Sequence, residues 1–275
     1  WPVISYGKEY WARLSIGEGV AKVGMEQPIK YYIPSPKESF VCNVVNDSLI
    51  GSSTLSYDQL QTNIKKGHGI QIQLYNEGNS LEKIMYGQPT LIPKRDSTMK
   101  MAQVINKVEK IDTDNKIITL EYSLPIDVSL STNPKVYTYS YSPYSIKNLT
   151  FDCKFYTYKG HFNERGFNCI EMFNNIGGNI SNITFINVDM GIKMLNCLST
   201  TIENITFKRD EYRGGHHGIW IIRGGYNLVS KFDFQNLFVH DLSVENTTMC
   251  NVFENGKGIF DKSTINVKKT STRKK

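Results

Sequence analysis

The sequence contains no run of eighteen apolar residues, so it predicts no helix that spans a membrane. It also contains no C-x-x-C pair, which disfavours a closely spaced structural zinc site. The cysteines are odd in number and widely scattered, which favours buried free thiols over a disulfide framework. They are Cys42, Cys153, Cys169, Cys197 and Cys250. With 40% hydrophobic residues among 275, the chain is globular in class and long enough to bury a substantial core.

The body of the chain carries little net charge, although the whole sequence has a formal charge of +6. Five basic residues stand in the final V-K-K-T-S-T-R-K-K, and without them 27 basic residues face 26 acidic ones. We therefore expect residues 261–275 to form a basic, disordered tail. A body that binds nucleic acid would carry its own basic face, so nucleic acid is not favoured as a partner.

Residues 1–144 are interpreted mainly as strands and loops, with one short helix. The helix is predicted between Ser56 and Gly67, because Ser56 and Gln59 form a capping box and Gly67 stands at the C-cap position. The alternating segment 103–125 predicts a hairpin whose turn is D-T-D-N-K. This half is thus expected to be β-rich.

A tetrapeptide of the form N-[IL]-T-F recurs in the second half of the chain. Copies begin at Asn148, Asn182 and Asn204, and D-L-S-V from Asp241 is a looser fourth, at steps of 34, 22 and 37 residues. Residues two apart on a strand face the same way, so each copy supplies two inward apolar side chains and one outward hydroxyl. The predicted inward columns are Leu149, Ile183, Ile205 and Leu242, then Phe151, Phe185, Phe207 and Val244. The predicted outward column is Thr150, Thr184, Thr206 and Ser243.

A second motif follows each copy of the first. The segments C-I-E-M-F-N (169–174), G-I-K-M-L-N (191–196) and G-I-W-I-I-R (218–223) align without gaps, and M-C-N-V-F-E (249–254) is a weaker fourth. The predicted inward residues are Ile170, Ile192 and Ile219, then Met172, Met194 and Ile221, with Cys250 and Val252 in the fourth copy. The predicted outward column is Glu171, Lys193 and Trp220.

Two strand motifs in a repeat near 22 residues, with longer steps that can hold turn insertions, indicate a solenoid. Neither strand could bury its apolar side alone, whereas stacked coils bury both. The sequence therefore predicts an all-β chain with a parallel β-helix over 145–260, preceded by β-rich coils, a short helix and a hairpin insert over 1–144.

The repeated asparagines also open N-x-[ST] sequons, which raises glycosylation as an alternative to a structural role. Asparagines at one turn in successive coils can stack as a ladder of amides, and Asn174 and Asn196 predict a second ladder that Arg223 interrupts. Asn179 and Asn182 are too close together for easy modification of both, so the ladder is favoured.

The coils over about 145–258 resemble the right-handed parallel β-helices of the pectate-lyase-like superfamily, which includes polysaccharide lyases, glycoside hydrolases and phage tailspikes. The segment from G-G-H-H-G-I-W-I-I-R to V-F-E-N-G-K-G, residues 214–258, is the most similar. The resemblance implies a carbohydrate-related role. The multi-aspartate motifs of the polygalacturonase-like hydrolases are absent, and a single G-H-G at 67–69 is weak evidence for catalysis.

The turn K-R-D-E-Y-R-G-G-H-H (208–217) is the best place for chemistry, since loops that lengthen on one flank of a rigid scaffold commonly carry function. β-Elimination from a uronate needs a cation, a base and an acid. Arg213 or Arg223 could neutralise the carboxylate, His217 could be the base and Tyr212 the acid.

The residues predicted to bind the sugar are Lys193, Trp220, Glu171 and His216. No spacing identifies a metal site, although calcium is compatible with the resemblance, through Asp152, Asp189, Asp210 and Asp233. The bland alternative is that all these are solvated turn residues.

Two other functions stay open. One is a non-catalytic structural or adhesive β-helix, such as a virion spike or a cell-surface component, in which case a homo-oligomer is expected. The other is a carbohydrate-binding domain without catalysis. In each case the expected location is extracellular, on a cell surface or on a virion, and the expected partner is a polysaccharide.

Overall fold

The computed structural model describes residues 38–87, 100–138, 143, 145–152, 165–208, 215–235, 238–245 and 248–258. It also describes the backbone of the strands at 3–5, 12–16, 19–28 and 265–267. These residues fall into two compact units. Unit 1 comprises Trp1–Pro34 and Tyr141–Lys268, and unit 2 comprises Ser35–Ser140 and Lys269–Lys275.

Unit 1 contains two sheets. The first sheet is built from β1 (Val3–Ser5), β10 (Ser145–Asp152), β12 (Asn179–Ile186), β14 (Thr201–Lys208), β16 (Leu228–Phe234), β18 (Val252–Glu254) and β19 (Lys257–Gly258). The second sheet is built from β2 (Ala12–Ile16), β3 (Gly19–Pro28), β11 (Arg165–Phe173), β13 (Met190–Leu198), β15 (Gly215–Gly225), β17 (Phe238–Glu245) and β20 (Ile265–Val267). The division into two parts at residue 144 stays a prediction. Two strands from before this residue pair with strands from after it, since β1 pairs with β10 and β3 pairs with β11.

The chain of unit 1 alternates between these sheets through about three turns of a solenoid, and each strand from β10 to β17 pairs in parallel with the next strand of its own sheet. This order is the pattern of a parallel β-helix, because every pass stacks on the previous one instead of folding back as a hairpin. The predicted fold class, all-β with a right-handed parallel β-helix in the second half and one short helix, is confirmed.

A stack of phenylalanine rings forms part of the interior of the solenoid, together with buried aliphatic side chains. Phe151, Phe185, Phe207 and Phe234 lie in register on β10, β12, β14 and β16, with ring centroids 5.2, 4.9 and 4.6 Å apart and planes within 14° of parallel. All four are fully buried. The predicted stacking of the first three rings is therefore confirmed, and each of these coils places a phenylalanine on the phenylalanine of the coil before it.

The fourth member of each predicted column is wrong. Leu242 and Val244 pair with Ile219 and Ile221 in the second sheet, so D-L-S-V belongs to the second motif. The fourth copy of the first motif is K-F-D-F, which begins at Lys231, 27 residues after Asn204.

The predicted fourth copy of the second motif is also wrong, since β18 pairs with β16 in the first sheet. Cys250 is exposed, and Val252 is 51% exposed instead of facing inward. Cys42, Cys169 and Cys197 are the buried free thiols that the sequence predicts. Cys153 lies outside the described residues.

Unit 2 is an antiparallel sheet of six strands in the order β4-β9-β6-β7-β8-β5. Its strands are β4 (Ser39–Asn43), β5 (Thr54–Ser56), β6 (Gly69–Tyr75), β7 (Lys100–Asp112), β8 (Ile117–Leu120) and β9 (Lys135–Thr138). The predicted hairpin is confirmed as β7 and β8, joined by a turn at 113–116. Short 3₁₀ turns cover Glu77–Asn79 and Leu130–Thr132.

The one described α-helix, α1 (Ser80–Tyr86), is not where the sequence predicts it. Ser56 ends strand β5, and the backbone after it bonds to strand β4 instead of to itself. Gln61 donates its N–H to the carbonyl of Val41 at 2.7 Å, and the Thr62 hydroxyl donates to Phe40 O at 2.6 Å. Tertiary hydrogen bonds thus override a local helix signal. Among the described residues, no helix is long and apolar enough to cross a membrane.

Candidate functional site: a polar groove and a histidine cluster

A residue with left-handed backbone conformation interrupts each of the strands β10, β12 and β14 of the first sheet. Asn148, Asn182 and Asn204 have φ of 61°, 57° and 56°, a region that asparagine tolerates better than most residues. This conformation aligns the amides of successive coils. Asn182 donates to Asn148 Oδ1 at 2.8 Å, and Asn204 donates to Asn182 Oδ1 at 2.8 Å. The predicted ladder is confirmed, and a structural role accounts for these asparagines.

The second predicted ladder is confirmed as well. Asn196 donates to Asn174 Oδ1 at 3.1 Å, and both residues are buried and left-handed. Arg223 takes the next position, opposite Asn196, with φ of 47°. It interrupts the amide series as the sequence predicts.

An open groove of about 420 Å³ runs along the exposed ladder of the first sheet. Its lining consists of amides, hydroxyls and two aliphatic side chains: Asn148, Leu149, Thr150, Asn182, Ile183, Thr184, Asn204 and Thr206. Asn182 and Asn204 are exposed, and the three threonines are half-buried. The predicted outward column of threonines thus forms part of a polar surface that repeats at the spacing of the strands.

Charged residues bound this groove at its C-terminal end. Lys231 follows Asn204 in the ladder position, and its Nζ bonds to Glu203 Oε1 at 2.7 Å. Asp233 follows Thr206 in the next position and accepts a bond from Gln235 Nε2 at 2.8 Å. The sequence predicts the outward threonines but not that they line a groove, because alternation along a strand does not encode the shape of the surface.

The outer face of the second sheet carries most of the predicted site residues. Glu171, Lys193 and Trp220 are register partners on β11, β13 and β15, as predicted. Lys193 Nζ lies 3.1 Å from Glu171 Oε1 and 5.3 Å from the centre of the Trp220 ring. These three residues are 9%, 6% and 2% exposed, so this charged and aromatic column is buried.

Two histidines, His216 and His217, lie beside this column on the same strand as Trp220. His217 stacks on Trp220 with centroids 4.3 Å apart and planes at 7°, and His216 lies 4.1 Å from His217 between ring centroids. His240, on the next coil, is the register partner of His217, with centroids 4.9 Å apart. One possible ligand atom from each of the three histidines lies within 4.8 Å of the others. Among the described residues, this is the single group of three or more ligating side chains so arranged.

The contribution of His240 was missed from the sequence. The signal was available, because aligning D-L-S-V with G-I-W-I would have placed His240 on His217. Burial raises the pKa of the adjacent Asp241 carboxyl to about 6, although this carboxylate also accepts the N–H of Phe238 at 3.0 Å.

The structure does not bring all the predicted catalytic residues together. Arg223 lies six residues along β15 from His217, on the order of 20 Å at the usual rise of a strand. Tyr212 and Arg213 lie outside the described residues, as does Asp210 of the predicted calcium set. The roles assigned to these residues and to calcium stay predictions.

No protein-family model and no curated protein matches this sequence. Solved structures are similar in fold. The tailspike gp61 of Pseudomonas phage phi297 superimposes with a TM-score of 0.57 at 12% identity, over 83% of this chain and 36% of the tailspike. The tailspike gp49 of Pseudomonas phage LKA1 gives a TM-score of 0.49 at 11% identity, over 80% and 39%.

The gp54 tailspike of Acinetobacter baumannii bacteriophage AP22, solved with a capsular saccharide, gives a TM-score of 0.42 at 9% identity, over 81% and 45%. This chain therefore spans between a third and a half of the length of each tailspike it matches. The parallel pairing, the ring stack and the likeness to gp61 of phage phi297 agree on one architecture. This chain therefore has the parallel β-helix fold.

Proposed function

We propose that this protein is a glycan-binding β-helix and that the groove along the exposed asparagine ladder is its binding surface. The observation that carries the proposal is a groove of about 420 Å³ lined by three amides and three hydroxyls. Its volume falls within the range of about 300–1,000 Å³ that is usual for ligand sites. Amides and hydroxyls both donate and accept hydrogen bonds, which matches the hydroxyl-rich surface of a sugar.

The repetition of the groove favours a polymer over a single small molecule. Thr150, Thr184 and Thr206 stand at one position on three successive strands, which lie about 4.8 Å apart. A chain of sugars laid across the strands would meet the same amide and hydroxyl on each coil. Because the described lining contains no aromatic side chain, each unit would be held mainly by polar contacts, and we expect modest affinity that multivalent display would raise.

An adhesive role on a virion or outside the cell follows from this proposal. The similarity in fold to a phage tailspike supports such a location by analogy. A shared fold does not establish a shared function, so the function is argued from the groove itself. A tailspike-like adhesin would act as an oligomer, so we expect purified chain to form a homo-oligomer. Light scattering would measure this directly, and a monomer at every concentration tested would count against a spike.

β-Elimination of an acidic polysaccharide is the second candidate. One observation favours it: the His217 imidazole stacks on Trp220, next to the cationic Lys193. A base and a cation would thus stand together. However, these three side chains are each less than a tenth exposed, so a uronate could reach them only if the covering chain moved.

A panel of uronate polymers, with and without calcium, tests this second candidate. A lyase should raise the ultraviolet absorbance of the unsaturated uronate, and His217→Gln should abolish the rise. If the absorbance stays flat on every polymer, binding without turnover is the better description.

A glycan array tests the primary proposal. Fluorescently labelled protein should bind one class of oligosaccharide, and Thr184→Trp, which places an indole in the groove, should reduce this binding at least about tenfold. Thr113→Trp is the matched control, because Thr113 is exposed in the hairpin turn of unit 2. Equal binding by the wild-type protein and both variants would refute the groove as the site.

A further inference from the structure

Three histidines meet on two neighbouring strands of the second sheet. His216 and His217 come from β15 and His240 comes from β17, and a possible ligand atom of each lies within 4.8 Å of the other two. A tetrahedral ion with bonds of about 2.1 Å needs ligand atoms roughly 3.4 Å apart. Side-chain rotations that move the ring nitrogens by about one ångström would therefore bring all three within bonding distance of an ion.

The backbone holds two of these histidines firmly in place. Asp189 O accepts the N–H of His216 at 2.7 Å and the N–H of His217 at 3.2 Å. The carboxylate Oδ1 of Asp189 also accepts the N–H of His216, at 3.2 Å. Parallel pairing fixes His240 directly opposite His217. The two strands therefore define the spacing of the donors before any ion arrives, which lowers the entropic cost of binding.

The surrounding charges are compatible with a cation. Asp189 is buried and its Oδ1 accepts the N–H of His216, so an acidic side chain stands next to the cluster. Lys193 lies over the Trp220 ring that stacks on His217, and Glu171 compensates its charge at 3.1 Å. The histidine rings thus face no uncompensated cation among these neighbours.

The type of donor selects the class of ion. Neutral imidazole nitrogens suit zinc, copper, nickel and related transition metals, whereas calcium and magnesium prefer oxygen. Three histidines leave a fourth tetrahedral position, which a water molecule can fill. His216 and His217 are buried and His240 is half-buried, so solvent would approach from the side of His240.

We propose that His216, His217 and His240 form a binding site for a divalent transition-metal ion of the zinc class. The ion would join β15 to β17 and so connect two successive coils of the solenoid. This site is separate from the polar groove, which lies on the first sheet, and its test does not depend on any glycan.

Cobalt and zinc titrations test the site. Cobalt added to metal-free protein should give the visible bands of a tetrahedral complex, with one ion per chain, and zinc should displace it. Competition with a chromophoric chelator gives the affinity. His240→Gln should weaken zinc binding at least about tenfold. Losing a residue that only hydrogen-bonds to a metal ligand commonly lowers metal affinity by that much, and His240 would be a ligand itself. His68→Gln, in unit 2, is the matched control and should bind as the wild-type protein does.

A second measurement guards against a folding defect in the variant. Zinc should raise the melting temperature of the wild-type protein and of His68→Gln, and leave that of His240→Gln nearly unchanged, since a ligand stabilises the state that binds it. In the wild-type protein alone, zinc should shift the imidazole ¹⁵N resonances of the three histidines but not those of His68. Absence of zinc binding by wild-type protein, or equal affinity in His240→Gln, would overturn the proposal.

Discussion

Replacing Asn182 tests how much the exposed ladder contributes to the solenoid. Asn182 donates one amide hydrogen bond to Asn148 and accepts one from Asn204, each at 2.8 Å. A net hydrogen bond contributes about 0.5–1.5 kcal/mol, and exposure places these two near the lower end. Losing both should therefore cost about 1–2 kcal/mol of unfolding free energy.

Two substitutions separate the ladder from the backbone. Asn182 has φ of 57°, a conformation that costs an alanine roughly 1–2 kcal/mol and costs glycine nothing. Asn182→Gly should thus lose about 1–2 kcal/mol through the ladder alone. Asn182→Ala should lose about 2–4 kcal/mol, because the backbone strain is added.

Tryptophan fluorescence during urea unfolding is the appropriate assay. All three tryptophans, Trp1, Trp11 and Trp220, fall within the residue ranges of unit 1, so the signal reports on the unit that contains the ladder. Lys231→Gly is the matched control, because Lys231 has φ of 52° and no ladder amide. It removes only an exposed ion pair with Glu203, so we expect it to cost less unfolding free energy than Asn182→Gly. If Asn182→Gly is as stable as the wild-type protein, the ladder contributes nothing and the reasoning fails.

Three further predictions concern the stability of the two units. Phe185→Ala removes the second ring of the stack, and should destabilise unit 1 by about 3–5 kcal/mol in the same fluorescence assay. Gly191→Ala should cost at least about 1–3 kcal/mol, because the new Cβ would lie 2.3 Å from the Phe207 ring. In unit 2, Asp58→Asn should flatten the acid limb of stability measured by circular dichroism. Burial tends to raise the pKa of Asp58, but hydrogen bonds from Gln59 and Asn43 outweigh it and lower the pKa below its usual 3.8.

The sign of the last effect follows from the lowered pKa. A carboxyl that ionises more readily in the folded state stabilises it above the unfolded pKa, and this contribution disappears as the pH falls through the folded pKa. Wild-type unit 2 should therefore lose stability more steeply below about pH 4 than Asp58→Asn does. Parallel pH profiles would contradict this, and a Phe185→Ala or Gly191→Ala protein as stable as wild type would contradict the packing described for unit 1.

The regular part of the solenoid could be predicted from the sequence because identical residues repeat where their environments repeat. Phe151, Phe185 and Phe207 follow asparagines that share one backbone bend, so the letter pattern and the stack coincide. In the next coil the backbone conformation and the ring stack are kept, but the residue types differ from the motif. Lys231 takes the left-handed position of the asparagine, and Phe234 continues the stack. A pattern based on N-x-T-F could not identify it.

The helix and the candidate sites were harder to predict because they depend on long-range contacts. The capping signal at Ser56 is local, whereas the hydrogen bonds that override it come from strand β4. The burial of Lys193 and Trp220 likewise depends on what packs over the second sheet, which alternation along a strand does not encode. Register alone placed Glu171, Lys193 and Trp220 in one column, and that alignment was predicted correctly, whereas their role in binding a sugar stays a prediction.

A crystal structure of the protein soaked with the oligosaccharide that it binds most strongly on the array would test the central claim most directly. The account predicts sugar density along Thr150, Thr184 and Thr206, with hydrogen bonds to the amides of Asn182 and Asn204. Ordered sugar elsewhere, such as against Trp220 and Lys193, with the groove empty, would contradict it.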